Sequence, residues 1–211
     1  MTDTIPLLSA SLLGPLALFS LVSSITPGPN NIMLASSGLN FGFRRTLPHM
    51  LGVNIGFSLM ILLVGAGLGA VFHSVPLLYT LLKYGGAAYL LYLAWKIATA
   101  GQIREDGRRA RPFTFLQAAA FQWINPKAWV MVVGVAATYI PESGFFMNLL
   151  VATVVCGIVN LPSIGVWVTF GTALRRVLHR PGAVRAFNLT MAALLVLSLY
   201  PIAQDVAGLL R

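Results

Sequence analysis

Six long apolar segments, at about residues 11–41, 47–72, 76–97, 113–140, 144–174 and 184–209, are separated by short polar connections. Each reaches or exceeds the roughly 20 residues that a helix needs to cross a bilayer. The pattern therefore predicts an all-α integral membrane protein with six transmembrane helices. The third and sixth segments have simple spanning length. The first, fourth and fifth are longer and contain Pro27 and Pro29, Pro126, and Pro162, so breaks, tilt or both are expected to absorb the surplus.

The pattern also repeats. "TPGPNNIML" followed by "LGVNIGF" in the first half is echoed by "INPKAWVM" followed by "GIVNLPSIG" in the second. In each half a proline-interrupted span precedes a span bearing asparagine beside glycine, with Asn54 and Asn160 in matching places. Three spans separate the copies, so the second enters the membrane from the opposite side. This predicts two inverted three-helix repeats, the architecture of many secondary transporters.

Composition narrows the class. Hydrophobic residues make up 57% and charged residues 9%, with a mean hydropathy of +0.83, far from the roughly 25% charged residues of a soluble domain. One transporter domain over residues 1–211 is expected, without a soluble domain. The single cysteine, Cys156, excludes an intramolecular disulfide and a thiolate-rich metal site within the chain, and is read as a small buried apolar residue. The net charge of +9 does not point to nucleic acid, because the basic residues fall at span ends without an aromatic-lined basic groove.

Those basic residues set an orientation. Arg44 and Arg45 follow span one, Lys96, Arg104, Arg108, Arg109 and Arg111 follow span three, and Arg175, Arg176, Arg180 and Arg185 follow span five. The other connections carry no Lys or Arg. The positive-inside rule places the three basic loops in the cytoplasm, beside anionic lipid, and both termini outside. The first apolar run lacks a basic leader and reads as a span, not a cleaved signal peptide.

The chemistry lies where the helices should break. Proline removes an N–H and frees the carbonyl four residues earlier. Pro27 and Pro29 would free those of Ser23 and Ile25, Pro126 that of Gln122, and Pro162 that of Ile158. In hydrocarbon such groups persist only inside protein or beside a wet cavity. The half-helix after Gly28 and Pro29 should present free N–H groups around Asn30, Asn31 and Ile32, at a dipole end that favours a carboxylate. One interruption thus offers both polarities that an amino-acid zwitterion requires. Lys127, in "INPKAW" beside Asn125, lies about fourteen residues or roughly 20 Å into its span. An ionisable group at that depth should face partners or a cavity. Apart from Asp205 near the outer end of the sixth span, no Asp or Glu lies in any span, so the expected partners are carbonyls, asparagine side chains or the substrate carboxylate. Gly28, Pro29, Asn30, Asn31, Asn54, Gln122, Asn125, Lys127 and Asn160 form the candidate substrate site. Lys83 is read as snorkelling to the surface, His49 and His73 as interfacial, and Gly52, Gly56, Gly65 and Gly69 as helix-packing positions. No HExxH spacing, nucleophile-base pair or metal-ligand cluster is evident; no enzyme activity, metal or cofactor is expected.

With these residues in view, the chain resembles the LysE/RhtB superfamily of amino-acid exporters. Thr26-Pro27-Gly28-Pro29-Asn30-Asn31 looks like the signature after the first half-span. Gly42-Phe43-Arg44 with Gly52 and Gly56 looks like the following turn and span. "GAAYLLYLAWK" looks like the third span, and Asn125-Pro126-Lys127 like the second proline motif. The signature and third span are similar to the cysteine and O-acetylserine exporter branch. The resemblance implies a six-span bacterial inner-membrane exporter of amino acids or derivatives such as cysteine, O-acetylserine, homoserine or threonine, driven by the proton gradient and assembled as a homodimer. A channel or a heavy-metal exporter of the same superfamily is the alternative. Many members carry an acidic residue where this chain has Phe57.

Overall fold

The computed structural model describes residues 10–68, 76–99, 111–177, 181–200 and 202–204. The expectations for His73, the side chain of Lys83, the basic loop across residues 100–110 and both termini lie outside the described residues.

The described chain is helical. Helices α1 (Ala10–Ile25) and α2 (Pro29–Phe41) meet at a 54° bend, and α3 (Phe43–Leu63) runs into a π-helical turn, Val64–Leu68. Helix α4 is Pro76–Ala98, and α5 (Phe115–Phe121) continues through a 3-10 turn, Gln122–Ile124, before α6 (Pro126–Tyr139). Helices α7 (Phe145–Val177) and α8 (Pro181–Leu197) complete the described order.

Local chemistry sets these boundaries. Gly42 separates α2 from α3 with φ +80°, a conformation that disfavours a Cβ, and its N–H bonds the Gly38 carbonyl at 2.9 Å. Thr114 and Gln117 form a reciprocal capping box at the start of α5. Asn125 caps α6, its Oδ1 accepting the Lys127 N–H at 3.1 Å, with Pro126 in the first turn.

Close backbone approach holds the bundle together. A Cβ on Gly171 of α7 would fall on the Ala35 carbonyl oxygen of α2, and one on Gly38 of α2 would fall on the Val168 carbonyl oxygen of α7. On α3, Gly52 and Gly56 pack against Phe115 and Ala119 of α5, where an added Cβ on Gly56 would lie 2.5 Å from the Ala119 Cα. Gly52 and Gly56 perform the packing role expected of them, and Gly38 and Gly171, not singled out from the sequence, do the same, because helices in lipid gain attraction mainly from such close contact.

Two apolar clusters result. One joins Leu34, Val53, Leu90, Phe121, Ile164 and Leu195, and the other joins Leu16, Phe57, Met60, Val132, Val135 and Leu149. Cys156 is buried in the second cluster. Outward positions remain apolar, including Leu18, Ile55, Val130, Phe146 and Ile158. Helices Phe43–Gly67 and Phe145–Arg175 are long and apolar enough to cross a membrane, as is the bent pair Leu12–Ile25 and Pro29–Phe41 taken together.

One expectation is overturned. Pro162 lies within the continuous helix α7 and makes no break. A lone proline removes one N–H and itself has a helical φ, whereas Pro27 is followed by an extended glycine and a second proline. In the same turn the Ser163 hydroxyl donates to the Val159 carbonyl at 2.7 Å. Helix α7 is therefore long without being divided.

Candidate functional site

The interruption between α1 and α2 satisfies its own carbonyls. Thr26 Oγ1 donates to the Ser23 carbonyl at 3.0 Å, Asn31 Nδ2 to those of Ser24 at 2.7 Å and Thr26 at 2.8 Å, and Trp167 Nε1 to that of Ile25 at 3.0 Å. From across the bundle, Lys127 Nζ donates to the Thr26 carbonyl at 2.7 Å, to Thr26 Oγ1 at 2.9 Å and to the Pro27 carbonyl at 3.3 Å. The ammonium of Lys127 thus sits at the negative end of α1, where helix dipole and carbonyl lone pairs both favour a cation. It occupies the position that sequence reasoning would give to a substrate ammonium. Beyond Pro29, Ile32 N–H bonds the Gly28 carbonyl at 3.0 Å, while the Asn30 and Asn31 N–H groups belong to the first turn and lack intrahelical acceptors.

The interruption between α5 and α6 faces the first. Asn30 Nδ2 donates to Gln122 Oε1 at 2.8 Å and Gln122 Nε2 returns a bond to Asn30 Oδ1 at 3.2 Å, while also donating to the Ala118 carbonyl at 2.9 Å. Gln122 is fully buried. This closed amide pair ties the two breaks together in a setting where an unpaired amide would cost about 1–3 kcal/mol. The Gln122 carbonyl that Pro126 was expected to free instead accepts the Asn125 N–H at 3.3 Å. The 3-10 turn reuses it, and the side chain of Gln122 carries the connection.

Between the breaks lies a cavity of about 350 Å³. Six of the nine predicted residues line it: Gly28, Asn30, Asn31, Asn125, Lys127 and Asn160. Asn54 is absent from the wall but bonds a wall residue, its Oδ1 accepting from Asn160 Nδ2 at 2.8 Å. Gln122 stands behind Asn30, and Pro29 occupies the first turn of α2 outside the wall. The expectation missed Ser23, Ser24, Val53, Phe57, Ala128, Met131 and Ile164. Of these, the adjacent serines before the proline cluster gave a readable signal. Ser24 is buried and its Oγ has no partner among the described residues. Lys127 is the only ionisable side chain among the described residues of the wall, and Phe57 contributes an apolar face.

Gly28 admits the lysine. A Cβ there would stand 2.6 Å from Lys127 Cδ and 3.2 Å from Nζ, while its φ of −175° suits any residue. Gly28→Ala is expected to leave the protein folded, because the obstructed atoms belong to a flexible side chain. It should displace the ammonium from the Thr26 carbonyl and lower transport by about tenfold, the loss of one charged hydrogen bond of roughly 1.5 kcal/mol. Thermal melting together with flux in vesicles checks this; unchanged flux would show that the lysine's position is immaterial.

Apolar helices long enough to span a bilayer, with facing breaks at α1/α2 and α5/α6 around a polar cavity, define a membrane transporter. The LysE type translocator family matches residues 21–198, and the chain belongs to that family. It is 31% identical to the cysteine/O-acetylserine efflux protein of Escherichia coli strain K12 over 191 residues, covering 90% of this chain and 96% of the relative. The protein of the same description from Shigella flexneri is 32% identical over 180 residues, covering 84% and 90%. No solved structure matches the chain.

Proposed function

We propose that the protein exports a small zwitterionic amino acid or derivative, of the cysteine or O-acetylserine kind, from the cytoplasm across the inner membrane, coupled to the proton gradient. The observation that carries this reading is the Lys127 ammonium held on the Thr26 and Pro27 carbonyls at the rim of the cavity. The serine hydroxyls, amides and single ammonium among the described wall residues suit a small polar metabolite.

The mechanism is an exchange of ammonium groups. A substrate carboxylate attracts Lys127 and draws it off the carbonyls, while the substrate ammonium takes its place there. The Asn30 and Asn31 N–H groups and the Asn160 amide bind the remaining polar atoms. The net charge of the site is the same before and after, which avoids burying a new charge in a low-dielectric interior. Lys127 also links the α1/α2 break to α6, so its release frees the two halves to rock as inverted repeats in a six-span unit covering residues 1–211. As the only ionisable group among the described wall residues, it is the carrier through which a proton would couple. Both termini face the periplasm, and two copies associate as a dimer. The amides and carbonyls of the cavity favour this over a soft-metal exporter, whose site would need several thiolate or thioether ligands where the described wall offers only the Met131 sulfur.

Flux of labelled amino acids through proteoliposomes, with and without a pH gradient, tests the reading. Saturable, gradient-dependent movement of O-acetyl-L-serine or cysteine is expected. Movement that never saturates would mark a channel, and a panel in which no amino acid moves would sink the proposal.

A further inference from the structure

A second cleft, of about 480 Å³, opens where the basic ends of the bundle gather. Lys96 at the end of α4 and Arg111 before α5 line it together with Phe41 at the end of α2. Arg175 of α7 lies close by, against Gly42. Deeper in the cleft is His49, only 2% exposed, with neither ring nitrogen hydrogen-bonded among the described residues. Such an imidazole, desolvated and unpaired, calls for a ligand that can serve it. Phe113 stands beside both groups, its ring 5.3 Å from the His49 ring and 5.7 Å from Lys96 Nζ, centre to centre in the first case. Among the described residues, no acidic side chain lines the cleft.

A complementary acceptor completes the site. The Thr46 hydroxyl donates to the Gly42 carbonyl at 2.9 Å, which spends its one proton, so the 3.0 Å contact between Ser37 Oγ and Thr46 Oγ1 has Ser37 as donor. Ser37 therefore retains lone pairs on the cleft. Cationic donors at the mouth with a hydroxyl acceptor and an imidazole inside match a carboxylate joined to an ammonium.

The cleft also shares helix faces with the central cavity. On α2, Asn30 of the cavity and Met33 and Ser37 of the cleft stand at i, i+3 and i+7. On α3, His49 of the cleft and Val53 and Phe57 of the cavity stand at i, i+4 and i+8. Seven residues of helix amount to roughly 10 Å. Between the two sites lie Met33 and Val53, both buried.

We propose that this cleft is a loading site, in which Lys96 and Arg111 capture the carboxylate of the substrate over His49 before it passes Met33 and Val53 into the central cavity. The proposal rests on the export reading and extends it to a separate site. The test uses the full chain, labelled with 15N-histidine, in phosphatidylcholine nanodiscs, with the His49 resonances assigned through His49→Gln. Titrated O-acetyl-L-serine should shift those resonances saturably. The shift should persist in Lys127→Met, which damages the central cavity, and should weaken by about tenfold or more when Lys96 and Arg111 are both replaced by Met, the scale of one lost charge-assisted bond.

Flux of the same probe through wild-type protein separates the two ideas. Transport with unmoved His49 resonances overturns the loading site and leaves export standing. A shift without transport supports the cleft as a carboxylate site and counts against export of this probe. Absence of both overturns both. A shift produced only by adding phosphatidylglycerol, without amino acid, would assign the cleft to lipid phosphate and overturn the proposal.

Discussion

Lys127→Met is expected to lower efflux by about a hundredfold while the protein still inserts and folds. The ammonium makes three contacts, with the Thr26 carbonyl, Thr26 Oγ1 and the Pro27 carbonyl. Hydrogen bonds to a charged group are worth about 1.5–3 kcal/mol, and the upper figure corresponds to roughly two orders of magnitude in rate. Folding should survive because Asn31 Nδ2 still serves the Thr26 carbonyl at 2.8 Å, and because methionine removes a half-buried charge without leaving a partner charge behind. Lys127→Arg sharpens the test. It keeps the cation but cannot release a proton, so substrate exchange between two equal pools should continue while uphill, gradient-driven efflux fails. Wild-type efflux in Lys127→Met would remove the residue from the mechanism. Gradient-driven efflux in Lys127→Arg would move proton coupling elsewhere.

Gly171→Ala should damage the fold itself. The added methyl would fall on the Ala35 carbonyl oxygen and within 3.0 Å of Leu39 N, so backbone of α2 and not a flexible side chain must move. The reciprocal contact of Gly38 with Val168 prevents a simple shift of one helix, since both glycines close the same crossing. We expect a loss of about 3 kcal/mol, the top of the usual range for overpacking, and a melting temperature in detergent lower by roughly 6–12 °C. Gly85→Ala serves as control, because a Cβ there meets nothing within 4 Å. Equal melting of the two variants would show that the α2/α7 crossing tolerates separation.

The two predictions concern different parts of one arrangement. α2 and α7 are locked by glycine, whereas the α1/α2 break and α6 are joined by a side chain that can let go. A transporter needs both: a rigid unit that moves as a body, and a contact whose loss permits the movement. The Asn30 and Gln122 pair lies between these extremes, since each amide satisfies the other and neither carries charge.

Residue pattern alone determined the helical membrane class, the places where the first and fourth apolar segments divide, and six of the thirteen residues that line the cavity. Those features follow from properties that a residue carries with it: apolar length, a missing proline N–H, an amide or ammonium too polar for hydrocarbon. It could not decide Pro162, because one missing N–H permits either a kinked or a divided helix and neighbouring contacts choose between them. Nor could it tell that the carbonyls near Pro27 are held by Lys127, Asn31 and Trp167, from 5 to 142 positions away along the chain. Local chemistry announces that a polar group must be satisfied. Which partner satisfies it depends on which distant side chain the packed helices bring within 3 Å or so, and that only the tertiary structure decides.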